Sequence, residues 1–86
     1  MIHAAKLDSS PRLQRFLAYL QKVGERGATG LELIAETRNI NPHTSGAELR
    51  ANGIPVICKL DRITDDGSKV YKYWLAEFYP GEKEAA

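Results

Sequence analysis

The sequence of 86 residues has little of what several classes of protein require. It contains one cysteine, Cys58, which excludes an intramolecular disulfide framework and a cysteine-based zinc site. Its two histidines are not accompanied by carboxylates at metal-ligand spacing, so we expect no bound metal. No apolar run approaches the roughly 20 residues of a membrane span, and the N-terminus has no signal-peptide hydrophobic region. We therefore expect a cytoplasmic protein with no membrane partner.

Motifs for catalysis are also missing. No Ser/His/Asp spacing, paired-carboxylate motif or glycine-rich phosphate loop occurs. A single domain of this size can form a small core but not a deep catalytic cleft. The sequence therefore predicts no enzymatic activity, no catalytic residues, no cofactor and no small-molecule substrate.

The charge is nearly balanced, since 12 basic and 11 acidic residues give a net charge of +1. A nucleic-acid binder usually carries a larger excess of basic residues, so the total alone does not favour that function. The distribution is uneven, because residues 76–86 hold one basic and three acidic residues, a net of −2. Residues 1–75 therefore hold eleven basic and eight acidic residues, and their net of +3 permits binding to phosphate without requiring it.

A first helix is predicted by its capping residues and its apolar spacing. Ser10 is a suitable N-cap, Pro11 fits the first helical position, and Gly24 is a suitable stop. One apolar stripe runs along the helix: Leu13, Phe16, Leu17, Leu20 and Val23. This stripe is the expected contribution of the helix to the core.

Two shorter helices are predicted after it. The second begins at Thr29-Gly-Leu-Glu32, which has the spacing of a capping box, and its expected buried face is Leu31, Ile34 and Ala35. The third begins at Asn41-Pro42 and ends near Ala51, before the stop signal Asn52-Gly53. About four residues join the two helices, which is typical of a helix-turn-helix.

A β-hairpin is predicted from residue 54 to residue 75. Its two segments are rich in β-branched and aromatic residues, and Asp66-Gly67 predicts a two-residue turn between them. That turn pairs Leu60 with Tyr73 and Cys58 with Leu75. One face would then pack on the core: Cys58, Leu60, Arg62, Tyr71, Tyr73 and Leu75. The other would point away from it: Lys59, Asp61, Ile63, Val70, Lys72 and Trp74.

Three short motifs stand in this order along the chain: Thr29-Gly-Leu-Glu32, Glu48-Leu-Arg-Ala-Asn-Gly53 and Tyr73-Trp-Leu75. With them, the chain resembles the winged helix-turn-helix DNA-binding domains, most closely the small ones of phages and prophages. The resemblance covers residues 10–75, which leaves an N-terminal arm at 1–9 and an acidic tail at 76–86. It implies an α+β fold, with a three-helix core that contains the helix-turn-helix and a C-terminal hairpin as the wing.

The resemblance also implies binding to double-stranded DNA, with the third helix in the major groove, as a transcriptional regulator or an architectural factor. Candidate contacts to phosphate come from basic residues: Arg38, Arg62, Lys69 and Lys72. Candidate contacts at the start of the third helix come from His43, Thr44 and Ser45. Each of these residues also has an ordinary role, as a solvent-exposed side chain or, for Arg38, as a cation at a helix C-terminus.

The outward face of the third helix, which would contact base edges, differs from that of a strong DNA binder. With Gly46 and Leu49 facing inward, the most outward residues are Thr44, Ala47, Glu48 and Ala51, and none of these is Arg, Lys, Asn or Gln. Glu48 would repel phosphate or accept a hydrogen bond from cytosine. Arg50 is expected to bond with the hairpin rather than with DNA. An alternative function is therefore a protein-interaction adaptor that keeps the fold without binding DNA.

An apolar patch is expected on the outward side of the hairpin, formed by Ile57, Val70 and Trp74. Either Phe78 and Tyr79 of the tail cover this patch, or it is an interface with a protein partner or with a second copy. A homodimer would place two copies of the third helix on one duplex.

Overall fold

Residues 6–81, the part of the chain that the computed structural model describes, contain three α-helices, three β-strands and three short 3-10 helices. The elements in chain order are α1 Pro11–Val23, β1 Ala28–Thr29, α2 Gly30–Thr37, α3 Pro42–Ala51, β2 Val56–Ile63 and β3 Lys69–Leu75. The predicted α+β class is confirmed. Residues 1–5 of the predicted arm and residues 82–86 of the predicted tail lie outside the described residues.

The predicted helix starts are confirmed by their capping hydrogen bonds. The Ser10 hydroxyl accepts from the Leu13 N–H at 3.3 Å, and the Asn41 side chain accepts from the Thr44 N–H at 3.2 Å. Both halves of the capping box between Thr29 and Glu32 are present. These bonds satisfy N–H groups that the first turn of a helix leaves free.

The predicted buried face of α2 is wrong. Leu31 is 75% exposed and Ile34 is 40% exposed, whereas Leu33 and Thr37 are the buried residues of this helix. The reason lies in Glu32, whose carboxylate accepts a hydrogen bond from the Tyr19 hydroxyl of α1 at 3.2 Å. This contact turns the Glu32 side of α2 toward α1, and the next residue, Leu33, then faces the core.

The strands form one antiparallel sheet in the order β1-β3-β2. Strand β1 has only two residues and pairs Ala28 with Tyr73 and Thr29 with Lys72. The sequence did not predict this strand. Helix α3 packs on one side of the sheet, where Gly46 faces the side chains of Val56 and Tyr73. Among the described residues, nine buried apolar ones form the core: Leu13, Phe16, Leu20, Ala28, Leu33, Leu49, Val56, Tyr73 and Leu75.

The hairpin register differs from the predicted one by two residues, since Leu60 pairs with Tyr71 and Cys58 with Tyr73. The turn accounts for one of these two residues, because it brings Thr64 opposite Ser68, and the bulge described in the next paragraph accounts for the other. The Gly67 N–H donates to the Thr64 carbonyl at 2.9 Å, and Gly67 has a φ of +86°. The loop is therefore a type I turn followed by a left-handed glycine, which is a longer connection than the two-residue turn predicted.

A β-bulge in β2 changes which way the end of the strand faces. The regular pairing shifts between Leu60 and Arg62, so that Arg62 lies opposite Val70 and Ile63 opposite Lys69. Because Val70 points away from the helices, Arg62 does too. The prediction that placed Arg62 on the core face and Ile63 on the other is wrong, because the extra residue, Asp61, reverses the alternation.

Two sides of the sheet can now be named. The helix face of the β2–β3 hairpin carries Val56, Cys58, Leu60, Ile63, Lys69, Tyr71, Tyr73 and Leu75. The outer face carries Ile57, Lys59, Arg62, Val70, Lys72 and Trp74.

Candidate nucleic-acid interface

The turn between α2 and α3 is held by a buried side chain, Asn39, which has no exposed surface. Its amide donates to the Thr37 hydroxyl at 2.8 Å and to the Arg12 carbonyl of α1 at 3.2 Å. Its side-chain oxygen accepts from the Ser45 hydroxyl of α3 and from the Arg12 guanidinium. One residue therefore ties all three helices together and sets the direction in which α3 leaves the turn.

Ser45 does not face solvent, which corrects its prediction as a contact to bases. It is 1% exposed, donates to Asn39 and accepts from the Arg12 guanidinium at 2.9 Å. Ser45 lies four residues before the buried Leu49, so both share the inner side of α3. A base edge would have to open the core to reach it.

Glu48 was predicted to point outward from α3 but is also turned inward. Its carboxylate forms an ion pair with Arg12 at 2.9 Å, and its side chain is 15% exposed. The expected repulsion between Glu48 and phosphate is therefore reduced by a cation that the sequence did not single out. One feature of the sequence could have pointed to Arg12: it lies one helical turn from Arg15 on the polar side of α1.

The exposed residues of α3 are His43, Thr44, Ala47, Arg50 and Ala51, of which Thr44 and the two alanines are small. Arg50 donates from Nε to the Val56 carbonyl at 2.8 Å, which confirms its expected bond with the hairpin. The centre of this surface therefore offers few hydrogen-bonding groups. Its first turn, with His43 and Thr44, is the polar end.

Cations lie on both sides of that first turn. Arg38 is exposed and lines the same depression as Thr44, at the α2–α3 turn. On the other side, Lys69 of β3 lines a groove together with His43. We call these four residues the helix-turn site: Arg38, His43, Thr44 and Lys69. Arg15 lies near its α2 end, where its Nε donates to the Thr37 carbonyl at 3.0 Å.

The remaining two predicted phosphate contacts are not brought to this site. Lys72 and Arg62 lie on the outer face, whereas Lys69 lies on the helix face of the same hairpin. Arg62 also forms an ion pair with Asp61 at 2.9 Å. The predicted site residues are therefore divided between two sides of the sheet.

The groove beside His43 has apolar walls along α2 and β3 and two carboxylates, Asp65 and Asp66, at the hairpin turn. Leu31 and Ile34 of α2 and Tyr71 of β3 line it, and each is at least 40% exposed. Its volume is about 830 Å³. The groove ends at Tyr73, whose buried hydroxyl has a pKa raised to about 12, first by burial and then by the neighbouring Cys58.

The predicted apolar patch around Trp74 is partly occupied by the chain itself. The Trp74 indole N–H donates to the Glu25 carbonyl at 3.0 Å, and the ring lies against Gly27. The Tyr79 ring packs edge-on against it, with centroids 4.9 Å apart. Of the two tail residues expected as cover, Tyr79 takes this role, whereas Phe78 packs beside the main core.

Comparison with family models, curated proteins and solved structures gave no match to this chain. Among residues 6–81, no helix is both long and apolar enough to cross a membrane. The same residues contain no cluster of three or more His, Cys, Asp or Glu side chains that could hold a metal ion.

Proposed function

We propose that this chain binds double-stranded DNA as a winged helix-turn-helix, with the first turn of α3 directed into the major groove. The observation that carries the proposal is the flanking of an exposed helix start, His43 and Thr44, by Arg38 on one side and Lys69 on the other. Four residues join α2 to α3, and the β2–β3 hairpin that follows corresponds to the wing.

In this arrangement Arg38 and Lys69 would contact phosphates and set the orientation of α3. His43 and Thr44 would contact base edges, since base contacts determine specificity and phosphate contacts determine position. The small residues Ala47 and Ala51 offer only apolar contacts beyond the first turn. We therefore propose a regulator or architectural factor whose affinity comes mainly from phosphate contacts and depends strongly on salt.

The test is a titration of a fluorescent random duplex, followed by anisotropy at low and moderate salt. Arg38→Ala and Lys69→Ala should each weaken binding to all sequences and lower the salt slope by about one unit for each phosphate that is no longer neutralised. Lys22→Ala is the matched control, because it removes an exposed cation near the far end of α1. Thr44→Ala should reduce the preference for a target sequence selected from a random pool.

Two outcomes would contradict the proposal. If the parent shows no binding at micromolar concentration in low salt, the chain does not bind DNA by itself. If Lys22→Ala weakens binding as much as Arg38→Ala and Lys69→Ala do, the interaction depends on net charge and not on the helix-turn site.

A second candidate function is a protein-interaction adaptor, and the exposed apolar walls of the groove favour it. Leu31, Ile34 and Tyr71 are large apolar residues at the surface, beside the residues assigned above to DNA. Exposed apolar surface of this kind is typical of protein contacts. Duplex titration of the parent separates the two functions, because an adaptor should show no salt-dependent duplex binding at all. Leu31→Ser then tests the groove, since it should weaken duplex binding only if the groove itself faces DNA.

A further inference from the structure

The outer face of the hairpin places two like charges directly opposite each other. Lys59 of β2 pairs with Lys72 of β3, so their side chains project side by side from the same surface. Like charges in this position destabilise a sheet. Within residues 6–81, carboxylates pair with Arg12, Arg26 and Arg62 but with neither of these two lysines. The fold therefore retains a repulsion that it does not compensate.

Arg62 extends this charge along the hairpin. The bulge at Asp61 turns Arg62 to the outer face opposite Val70, so Arg62 lies two residues of β3, about 7 Å, along the hairpin from the pair of Lys59 and Lys72. Its ion pair with Asp61 is exposed, and such pairs contribute little, so a phosphate can replace the carboxylate. Three cations thus form a row on an open surface rather than a ring around a pocket.

At the Trp74 end of the outer face, other residues of the chain cover the surface. Trp74 is covered by Gly27 and Tyr79, and its indole N–H is bonded to the Glu25 carbonyl. The uncovered part of the outer face, which carries Lys59, Lys72 and Arg62, therefore offers positive charge but no free aromatic ring on which a base could stack.

We propose that Lys59, Lys72 and Arg62 form a second phosphate-binding surface, which takes the backbone of a second DNA segment. The row fits a polymer better than a single small anion, because a DNA strand presents one charge per 3.4 Å. The helix-turn site lies on the opposite side of the sheet, so one molecule would hold two duplex segments. This inference rests on the proposed DNA binding and adds a bridging activity to it.

The experiment compares two double variants that remove the same charge from opposite sides of the sheet. Lys59→Gln/Lys72→Gln changes the outer face, and Arg38→Gln/Lys69→Gln changes the helix-turn site. Each is titrated with a labelled duplex, and bridging is measured as capture of that duplex on beads that carry an unlabelled one. Sedimentation of the parent at the same concentration identifies whether the bridging unit is a monomer.

We expect the outer-face variant to lose bridging and to keep the affinity and the salt slope that the helix-turn site gives for a single duplex. Its thermal midpoint should be at or above that of the parent, because the repulsion between Lys59 and Lys72 is gone. Loss of bridging with a lowered midpoint would point to damage to the hairpin and would count against the proposal.

The possible failures can be told apart. If the parent binds a duplex and the outer-face variant bridges like the parent, the second surface is wrong and the proposed function stands. If only the outer-face variant loses affinity, the second surface is supported and the helix-turn site is wrong. If the parent bridges only as a dimer, or binds no duplex in low salt, the bridging proposal is overturned.

Discussion

A single added methyl group at Gly27 should separate the Trp74 contact from the rest of the fold. The glycine has a φ of +72° and a ψ of 174°, a conformation that is essentially limited to glycine. A Cβ there would lie 2.5 Å from both Cε2 and Nε1 of the Trp74 indole. Gly27→Ala must therefore strain the backbone and also displace the indole ring.

The expected loss of stability follows from three contributions. The backbone conformation costs about 1–3 kcal/mol for a residue with a side chain. Displacing the indole removes the hydrogen bond to the Glu25 carbonyl, about 1 kcal/mol, and the edge-on contact with Tyr79, about 0.5–1.5 kcal/mol. Together these give about 2.5–5.5 kcal/mol, against a total of roughly 4–13 kcal/mol expected for a chain of this length.

The control is Gly24→Ala in the same segment. Gly24 also has a positive φ, of +56°, but a Cβ there would have no atom within 4 Å. It should lose only the conformational contribution, so the difference between the variants measures the Trp74 contact. Urea denaturation followed by fluorescence suits this test, because Trp74 is the only tryptophan in the sequence.

One result would refute this reasoning. If both variants lose the same free energy and the native emission of Gly27→Ala matches that of the parent, Trp74 does not lie on Gly27. The end of the outer face around Trp74 would then not be covered by Gly27 and Tyr79.

Three further perturbations test the core, the capping box and the turn. Leu20→Ala should cost about 2–5 kcal/mol in a circular-dichroism melt, because its side chain is fully buried; a melt like that of the parent would contradict the core assignment. The Arg26 side chain lowers the pKa of Glu32, so their interaction stabilises the fold at neutral pH. This stabilisation is lost as the pH falls below the ordinary glutamate pKa of 4.5. Glu32→Gln should therefore flatten the decline of the urea midpoint with acid, and an unchanged decline would contradict this. Asn39→Ala should cost about 2–4 kcal/mol in urea denaturation, because buried partners on α1 and α3 lose their hydrogen bonds, and a cost below about 1 kcal/mol would mean that the turn is not held by this side chain.

The helix boundaries could be predicted from the sequence because the interactions that set them are local. Ser10, Thr29 and Asn41 each bond to an N–H three residues later, and Gly24 stops α1 through its own backbone freedom. These contacts need no distant partner. The capping box in particular has both of its bonds within four consecutive residues.

The parts that the sequence did not determine depend on distant contacts. Strand β1 has only two residues and exists because β3, more than forty residues later, provides its hydrogen bonds. The inner side of α2 was set by the contact between Glu32 and Tyr19 of another helix. An apolar residue such as Leu31 can lie on the buried or the exposed side of a two-turn helix, and contacts with other elements determine which side is buried.

The arrangement of the candidate site also depends on distant contacts. Ser45 is polar and near a helix start, which is what a contact to DNA requires, yet Arg12 and Asn39 bury it. One bulge residue, Asp61, moved Arg62 to the other side of the hairpin, because side chains alternate along a strand with a period of two. The sequence thus determined which cations the hairpin carries and that Lys72 faces away from the helices, and only the tertiary structure placed Arg62 on the same outer face.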